Sequence, residues 1–382
     1  MLKPANFIHL GLGWIGDRGG GLERYQDGVC AAQAAMGISS IALVQSRVPV
    51  ANTHGYRTIA FASLDDSRSD RHKKLRREIA SRLGEHPSAT LVTHHASVSY
   101  QVMNLIGDRE HVVHFQGPWA DEAQLEGTPR WKAFVQRRQE KRVYHSADRI
   151  ITLSTAFKDL VVQRYGVDVS RVRVVPGAID AAAADPGISR GEARTQLGWP
   201  LDRPILLSIR RLVKRVGIDS LIDAIERLRL KHPNLLVLIG GTGPMKAELE
   251  AMIERVDLHR NVRMLGFVPD EHLAIAYRAA DYSIVPTQAL EGFGLVTLES
   301  MATGTPAIVT PVGSLPEVCG PLSPSLVLPG KSPEQIAAGL DEILSGRAKL
   351  PSEEECKDYV KRNYDWSVIA PKVLEVYREA GS

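Results

Sequence analysis

The sequence predicts an α/β protein made of two doubly wound, Rossmann-like domains facing a cleft. Short apolar runs alternate with longer amphipathic stretches along the whole chain, the pattern of parallel sheets covered by helices on both faces. The alternation breaks once, at 175–187, where proline, glycine and alanine mark a linker or hinge. The 382-residue length also exceeds what one ordinary core fills.

In order, the first series places strands at 6–10, 40–44, 90–93, 111–115 and 149–153. Helices follow at 22–36 and at 156–165, the second with Ser154 as its N-cap. A fresh series begins after the linker, with strands at 204–209, 235–239, 262–265, 282–285 and 307–310. The expected domains are therefore 1–180 and 181–365.

Composition narrows the function classes. No apolar run approaches the roughly 20 residues of a membrane span. The start shows no basic-then-apolar signal segment, and Cys30, Cys319 and Cys356 are too scattered for a disulfide framework or a zinc site. A reducing cytoplasm is the expected compartment. Net charge is +3, yet residues 1–180 carry +6 and the remainder −3. Basic residues crowd at 71–77 and 137–142. Both stretches read either as solvated helix faces or as surfaces for an anionic partner, such as a phospholipid layer or a phosphorylated acceptor. Neither interleaves aromatics, which disfavours nucleic acid.

Gly11-Leu12-Gly13-Trp14-Ile15-Gly16 matches a dinucleotide fingerprint in letters. The next strand, however, ends in Gln45-Ser46-Arg47 with no acid for a ribose, and the helix is delayed past Asp17-Arg18-Gly19. Gly20 and Gly21 open that helix instead, where backbone amides suit a phosphate or another anion.

The densest chemistry lies at Glu291-Gly292-Phe293-Gly294-Leu295-Val296-Thr297-Leu298-Glu299, between a strand and an apolar helix. Its glycines allow close backbone approach, and the helix start favours a diphosphate. If fully helical, the two carboxylates stand about 12 Å apart, enough to address both ends of a nucleotide-sugar. A dipole-compensating acid followed by an exposed helix glutamate would look the same.

The whole chain resembles the retaining glycosyltransferases of family four, which have the GT-B fold. The resemblance rests on eight pieces in the family's order. The first domain supplies Gly20-Gly21-Leu22-Glu23-Arg24, His114-Phe115-Gln116-Gly117-Pro118-Trp119, Ala147-Asp148-Arg149-Ile150 and Val175-Pro176-Gly177. The second supplies Arg210-Arg211-Leu212-Val213-Lys214-Arg215-Val216-Gly217, Gly240-Gly241-Thr242-Gly243-Pro244, Leu265-Gly266-Phe267-Val268 and the E-x7-E segment.

By this resemblance Glu291 meets the donor sugar and Glu299 the ribose. The amides of Phe293, Gly294 and Leu295 serve sugar and diphosphate, with Gly292, Gly241 and Gly243 lining the donor site. Phe267 and Val268 border the base. Arg211 takes the diphosphate, and since Val216 stands where the family has a lysine, Lys214 or Arg215 supplies the second cation. Gln116 stands where the family has a histidine; His114, two residues earlier, either takes its part or is a core histidine. Segment 366–382 is expected to cross back onto the first domain, which binds the acceptor.

The resemblance implies a retaining hexosyl transfer from a nucleotide-sugar, UDP-glucose first and GDP-mannose next, to a glycan or lipid-linked acceptor of the cell surface. No Asp-x-Asp clamp occurs, so no metal and no cofactor is expected. The expected location is the cytoplasm, with peripheral attachment to the membrane through 71–77 and 137–142. Rival readings are an epimerase of the same fold, an NAD-dependent oxidoreductase resting on the opening glycines, and a non-catalytic sugar-nucleotide sensor resting on Gln116 and Val216.

Overall fold

The structure, a computed structural model, describes residues 5–17, 19–52 and 54–381. Arg18, in the delayed helix start, lies outside the described residues. The chain divides into two compact units, Met1–Ala178 with Trp366–Ser382, and Ile179–Asp365.

The first unit holds seven strands: β1 Phe7–Leu10, β2 Ser40–Gln45, β3 Arg57–Ala62, β4 Thr90–Thr93, β5 His111–Phe115, β6 Arg149–Thr152 and β7 Val172–Val174. They lie in the order β3-β2-β1-β4-β5-β6-β7. The second unit holds β8 Ile205–Ile209, β9 Leu236–Gly240, β10 Val262–Gly266, β11 Tyr282–Val285 and β12 Ala307–Val309, in the order β10-β9-β8-β11-β12. All pairings within the two sheets are parallel.

β2, β4, β5 and β9 are buried along their whole length, as strands covered on both faces must be. Alternate residues feed opposite cores. Leu206, Val237 and Ile239 pack on one face of the second sheet, and Ile205, Leu207, Leu236 and Leu238 on the other. The apolar pattern does not announce β3 and β7, and these are the two edges of the first sheet. Arg57, Ala60 and Val174 there are exposed, so no continuous apolar run forms.

Helix starts follow local chemistry. The Ser154 hydroxyl accepts from the Phe157 amide, and reciprocal capping boxes join Ser189 to Glu192, Ser332 to Gln335 and Ser352 to Glu355. The stretch expected as a bare linker contains a helical turn, Ala181–Ala184, capped by Asp180. The Ile179 amide donates to the Tyr364 carbonyl (3.0 Å) and the Ala181 amide to Asp365 (3.0 Å), so the second unit starts and ends at one point.

The last helix, Trp366–Glu379, packs within the first unit. Its Trp366 ring lies on Tyr25, and its Tyr377 hydroxyl meets His114 Nε2 at 2.6 Å. His114 is therefore a core residue, fully buried in a stack with His94 (4.6 Å between ring centres). His94 Nε2 lies 3.0 Å from His9 Nδ1, and His9 Nε2 lies 2.9 Å from Gln33 Oε1. Because Gln33 Oε1 only accepts, His9 donates through Nε2 and accepts at Nδ1 from His94. Protonating His94 would then place an N–H on Nδ1, which has no partner among the described residues.

Burial lowers all three pKa values: His9 to about 4, His114 to about 3, and His94 well below its ordinary value, with neighbouring imidazole charge adding to the effect at His94 and His114. Folded-state values below the unfolded 6.5 mean that the unfolded chain takes up protons first. The stability these groups contribute is whole above pH 6.5 and drains away as pH falls toward 4 and 3. Urea denaturation across that window should show falling stability, with a shallower slope in His94→Gln; an unchanged slope would contradict the neutral stack.

Candidate functional site

In the second unit the chain leaves β8 for β9 on one side, while β11 flanks β8 on the other. This order makes the carboxyl ends of β8 and β11 a topological switch point, where open α/β sheets form a crevice. The loop after β8 supplies Arg210, and the loop after β11 supplies Glu291. Arg210 Nη2 donates to Glu291 Oε2 at 2.6 Å, and the Thr287 hydroxyl donates to the same oxygen at 2.9 Å. Both members of the ion pair are nearly enclosed, at 11% and 10% side-chain exposure. No donor among the described residues reaches Glu291 Oε1, and Arg210 Nη1 is buried without a partner.

Burial opposes ionisation of Glu291. The Arg210 charge, its hydrogen bond, the Thr287 hydroxyl and the Arg215 charge together outweigh that and hold the carboxyl below its ordinary value. The residue before it, Leu290, adopts φ +56°, a left-handed conformation that costs a non-glycine residue about 1–3 kcal/mol. Arg215 Nη1 donates to the Leu290 carbonyl (3.3 Å), and the Arg215 carbonyl accepts from the Gln288 amide (2.8 Å). Arg215 thus clamps the strained peptide that aims Glu291.

Gly294 caps helix Leu295–Ala302 at φ +78°, and a Cβ there would meet Leu315. The amides of Phe293, Gly294 and Leu295 have no acceptor among the described residues. The Phe293 ring is buried against Tyr364 and anchors the loop. Because the helix begins only at Leu295, residues 291–294 are loop, and the 12 Å helical spacing does not apply. Glu299 sits half-buried in the second helical turn.

Other expected positions differ more. Arg211 is exposed, while its neighbour Arg210 holds Glu291. Of the two adjacent arginines after β8, Arg210 is the one that turns onto Glu291, a contact the spacing pattern does not indicate. Lys214 is exposed and pairs with Asp219 at 2.6 Å. The turn at Gly241 (φ +129°) lets its backbone pack on the Arg210 carbonyl, where any Cβ would collide; Gly243 packs on Leu212 in the same way. These two glycines fit loop to loop. Phe267 is exposed, and Val268 is half-buried beside Gly240.

In the first unit, Gln116 is half-buried just beyond β5, its side-chain nitrogen buried without a partner among the described residues. Gly20 and Gly21 do open helix Gly21–Ala35, but the Glu23 carboxylate lies against Gly20 and Gly13. A negative charge thus stands in the first turn of this helix.

Two parallel sheets, one with a charged crevice at its switch point, define a doubly wound α/β protein. The profile described as Glycosyltransferase Family 4 matches residues 19–183, and that of Glycosyl transferases group 1 matches residues 189–366. The D-inositol 3-phosphate glycosyltransferase of Kineococcus radiotolerans is 31% identical over 258 residues, 63% of this chain and 59% of that protein. Alignments with such curated relatives span 55–60% of their length. Among solved structures, sucrose-phosphate synthase from Thermosynechococcus elongatus has a TM-score of 0.82 at 22% identity, covering 99% of this chain and 100% of that one. Anabaena HepE in complex with UDP-glucose has a TM-score of 0.78 at 17% identity, covering 97% and 99%. The chain belongs to the family-four glycosyltransferases, and its fold is GT-B.

Removing Arg210 would leave Glu291 a buried charge without its cation. Arg210→Met should cost about 3–5 kcal/mol in urea denaturation, and Arg211→Met within about 0.5 kcal/mol. Glu291→Gln added to Arg210→Met should recover part of the loss.

Proposed function

We propose that the chain is a retaining, metal-independent glycosyltransferase that moves a hexose from a nucleotide-sugar to a glycan or lipid-linked acceptor. The observation that carries this is Glu291, kept ionised on one oxygen by Arg210 and Thr287 with Oε1 still able to accept. A carboxylate so fixed suits a sugar hydroxyl, which donates one strong hydrogen bond. The adjacent amides of Phe293, Gly294 and Leu295 suit the sugar and the diphosphate leaving group, as preorganised donors at a helix start. Glu299 takes the ribose, and Arg211 supplies cationic charge to the diphosphate.

The acceptor hydroxyl attacks the anomeric carbon on the face the leaving group vacates. The glycosidic bond to the diphosphate breaks with its electron pair, and a diphosphate oxygen takes the hydroxyl proton. No protein nucleophile is needed. UDP-glucose is the first donor choice, supported by the UDP-glucose complex of a protein with the same fold, and GDP-mannose is the next. The first unit binds the acceptor, a cell-surface glycan or glycolipid precursor.

Thermal shift with UDP, GDP and NAD, each with and without magnesium, tests the class of ligand. Stabilisation by UDP or GDP irrespective of magnesium is expected; stabilisation by NAD alone would overturn the reading. Slow hydrolysis of labelled UDP-glucose or GDP-mannose should drop at least a hundredfold in Glu291→Ala while nucleotide binding persists, whereas binding without turnover in the wild type would make the chain a sensor.

A further inference from the structure

The helix Arg130–Ser146 presents two opposite faces. Ala133, Glu140, Val143 and Tyr144 are buried on one. The other carries Trp131, Phe134 and Val135, which are 66%, 54% and 46% exposed, and Leu125 lies exposed at the end of the preceding helix. Spacing of three and four residues keeps the three on one side of the helix, with Arg138 one turn further along the same side. Large apolar side chains grouped in water mark an interaction site.

The solvated charges on this helix are cationic, its single acid Glu140 being buried, while Glu126 follows Leu125 at the end of the preceding helix. Arg130, Lys132, Arg138 and Lys141 have no acidic partner among the described residues. Lys132 lies over the Trp131 ring (5.4 Å) and Arg138 over Phe134 (5.1 Å), so the cations rim the apolar group. Of the two basic stretches, 71–77 lacks this combination. Lys74 is paired with Asp66, Arg76 with the Gln101 carbonyl and Asn104, and the apolar residues of its helix, Leu75, Ile79 and Leu83, are buried. The aromatics absent from 137–142 itself stand one and two turns before it.

We propose that this face docks on an anionic lipid surface, with Trp131, Phe134, Val135 and Leu125 entering the headgroup layer and the cations resting on lipid phosphates. An amphipathic helix with aromatic and aliphatic tips and a basic rim has the chemistry of interfacial binding. Single-stranded nucleic acid fits less well, because Leu125 and Val135 offer no stacking surface. The inference deepens the lipid-linked acceptor reading by assigning the surface that meets the lipid. Its test uses no sugar nucleotide, so its failure and the failure of glycosyl transfer are read separately.

The full chain is sedimented with vesicles of phosphatidylcholine, with and without phosphatidylglycerol, while tryptophan emission is followed. Binding only to the anionic vesicles is expected, weakening with salt, with a blue shift that Trp131→Phe removes. Trp131→Ala with Phe134→Ala should weaken binding on the order of tenfold, and Arg138→Gln about fivefold. Lys73→Gln with Arg77→Gln should change it less than twofold. An unchanged melting temperature in each variant shows that the fold is intact. Equal binding by the aromatic double variant would overturn the proposal. So would affinity for RNA or self-association through this face without vesicle binding.

Discussion

A carboxylate withdrawn from water keeps its charge only where other groups replace the lost hydration. Glu291 meets that condition through Arg210 from one strand end and Thr287 from another, so the ion pair also ties the loop after β8 to the loop after β11. The remaining features of the crevice follow from this tie. Arg210 approaches closely because Gly241 has no side chain, and Glu291 is aimed by the strained Leu290 that Arg215 holds. A solvated glutamate at the same place would be charged too, but it would have no fixed direction.

Much of this was legible in the sequence. The buried strands announced themselves because both of their faces demand apolar residues, and the E-x7-E segment stood out beside its helix. What escaped has physical reasons. β3 and β7 are edges, half-solvated and therefore unpatterned. Which of two adjacent arginines turns inward depends on the twist of the chain leaving β8, and single-letter spacing does not encode that. The ion pair of Lys214 with Asp219 on the next helix is likewise absent from any motif, because the fold brings the two together. Glu23 at the helix start is visible in the sequence, but that its carboxylate lies against Gly20 and Gly13 is set by the fold.

The two units handle buried polarity differently. The second places a full charge at a strand end and compensates it with another. The first buries neutral imidazoles that share hydrogen bonds, so its interior tolerates polarity only while those rings stay unprotonated. The exposed face of helix Arg130–Ser146 reverses this order, with apolar groups outside and a buried Glu140, whose pKa burial raises to about 7, inside.

The first unit is built from both ends of the chain, with the second unit inserted between them at Ile179 and Asp365. Synthesis therefore delivers seven strands of the first sheet and then all of the second unit before Trp366 appears. Tyr377, which caps the histidine stack, lies on the same late helix. Until then His114 and Tyr25 lack the rings that cover them, and the first unit waits as an unfinished core that helix Trp366–Glu379 closes.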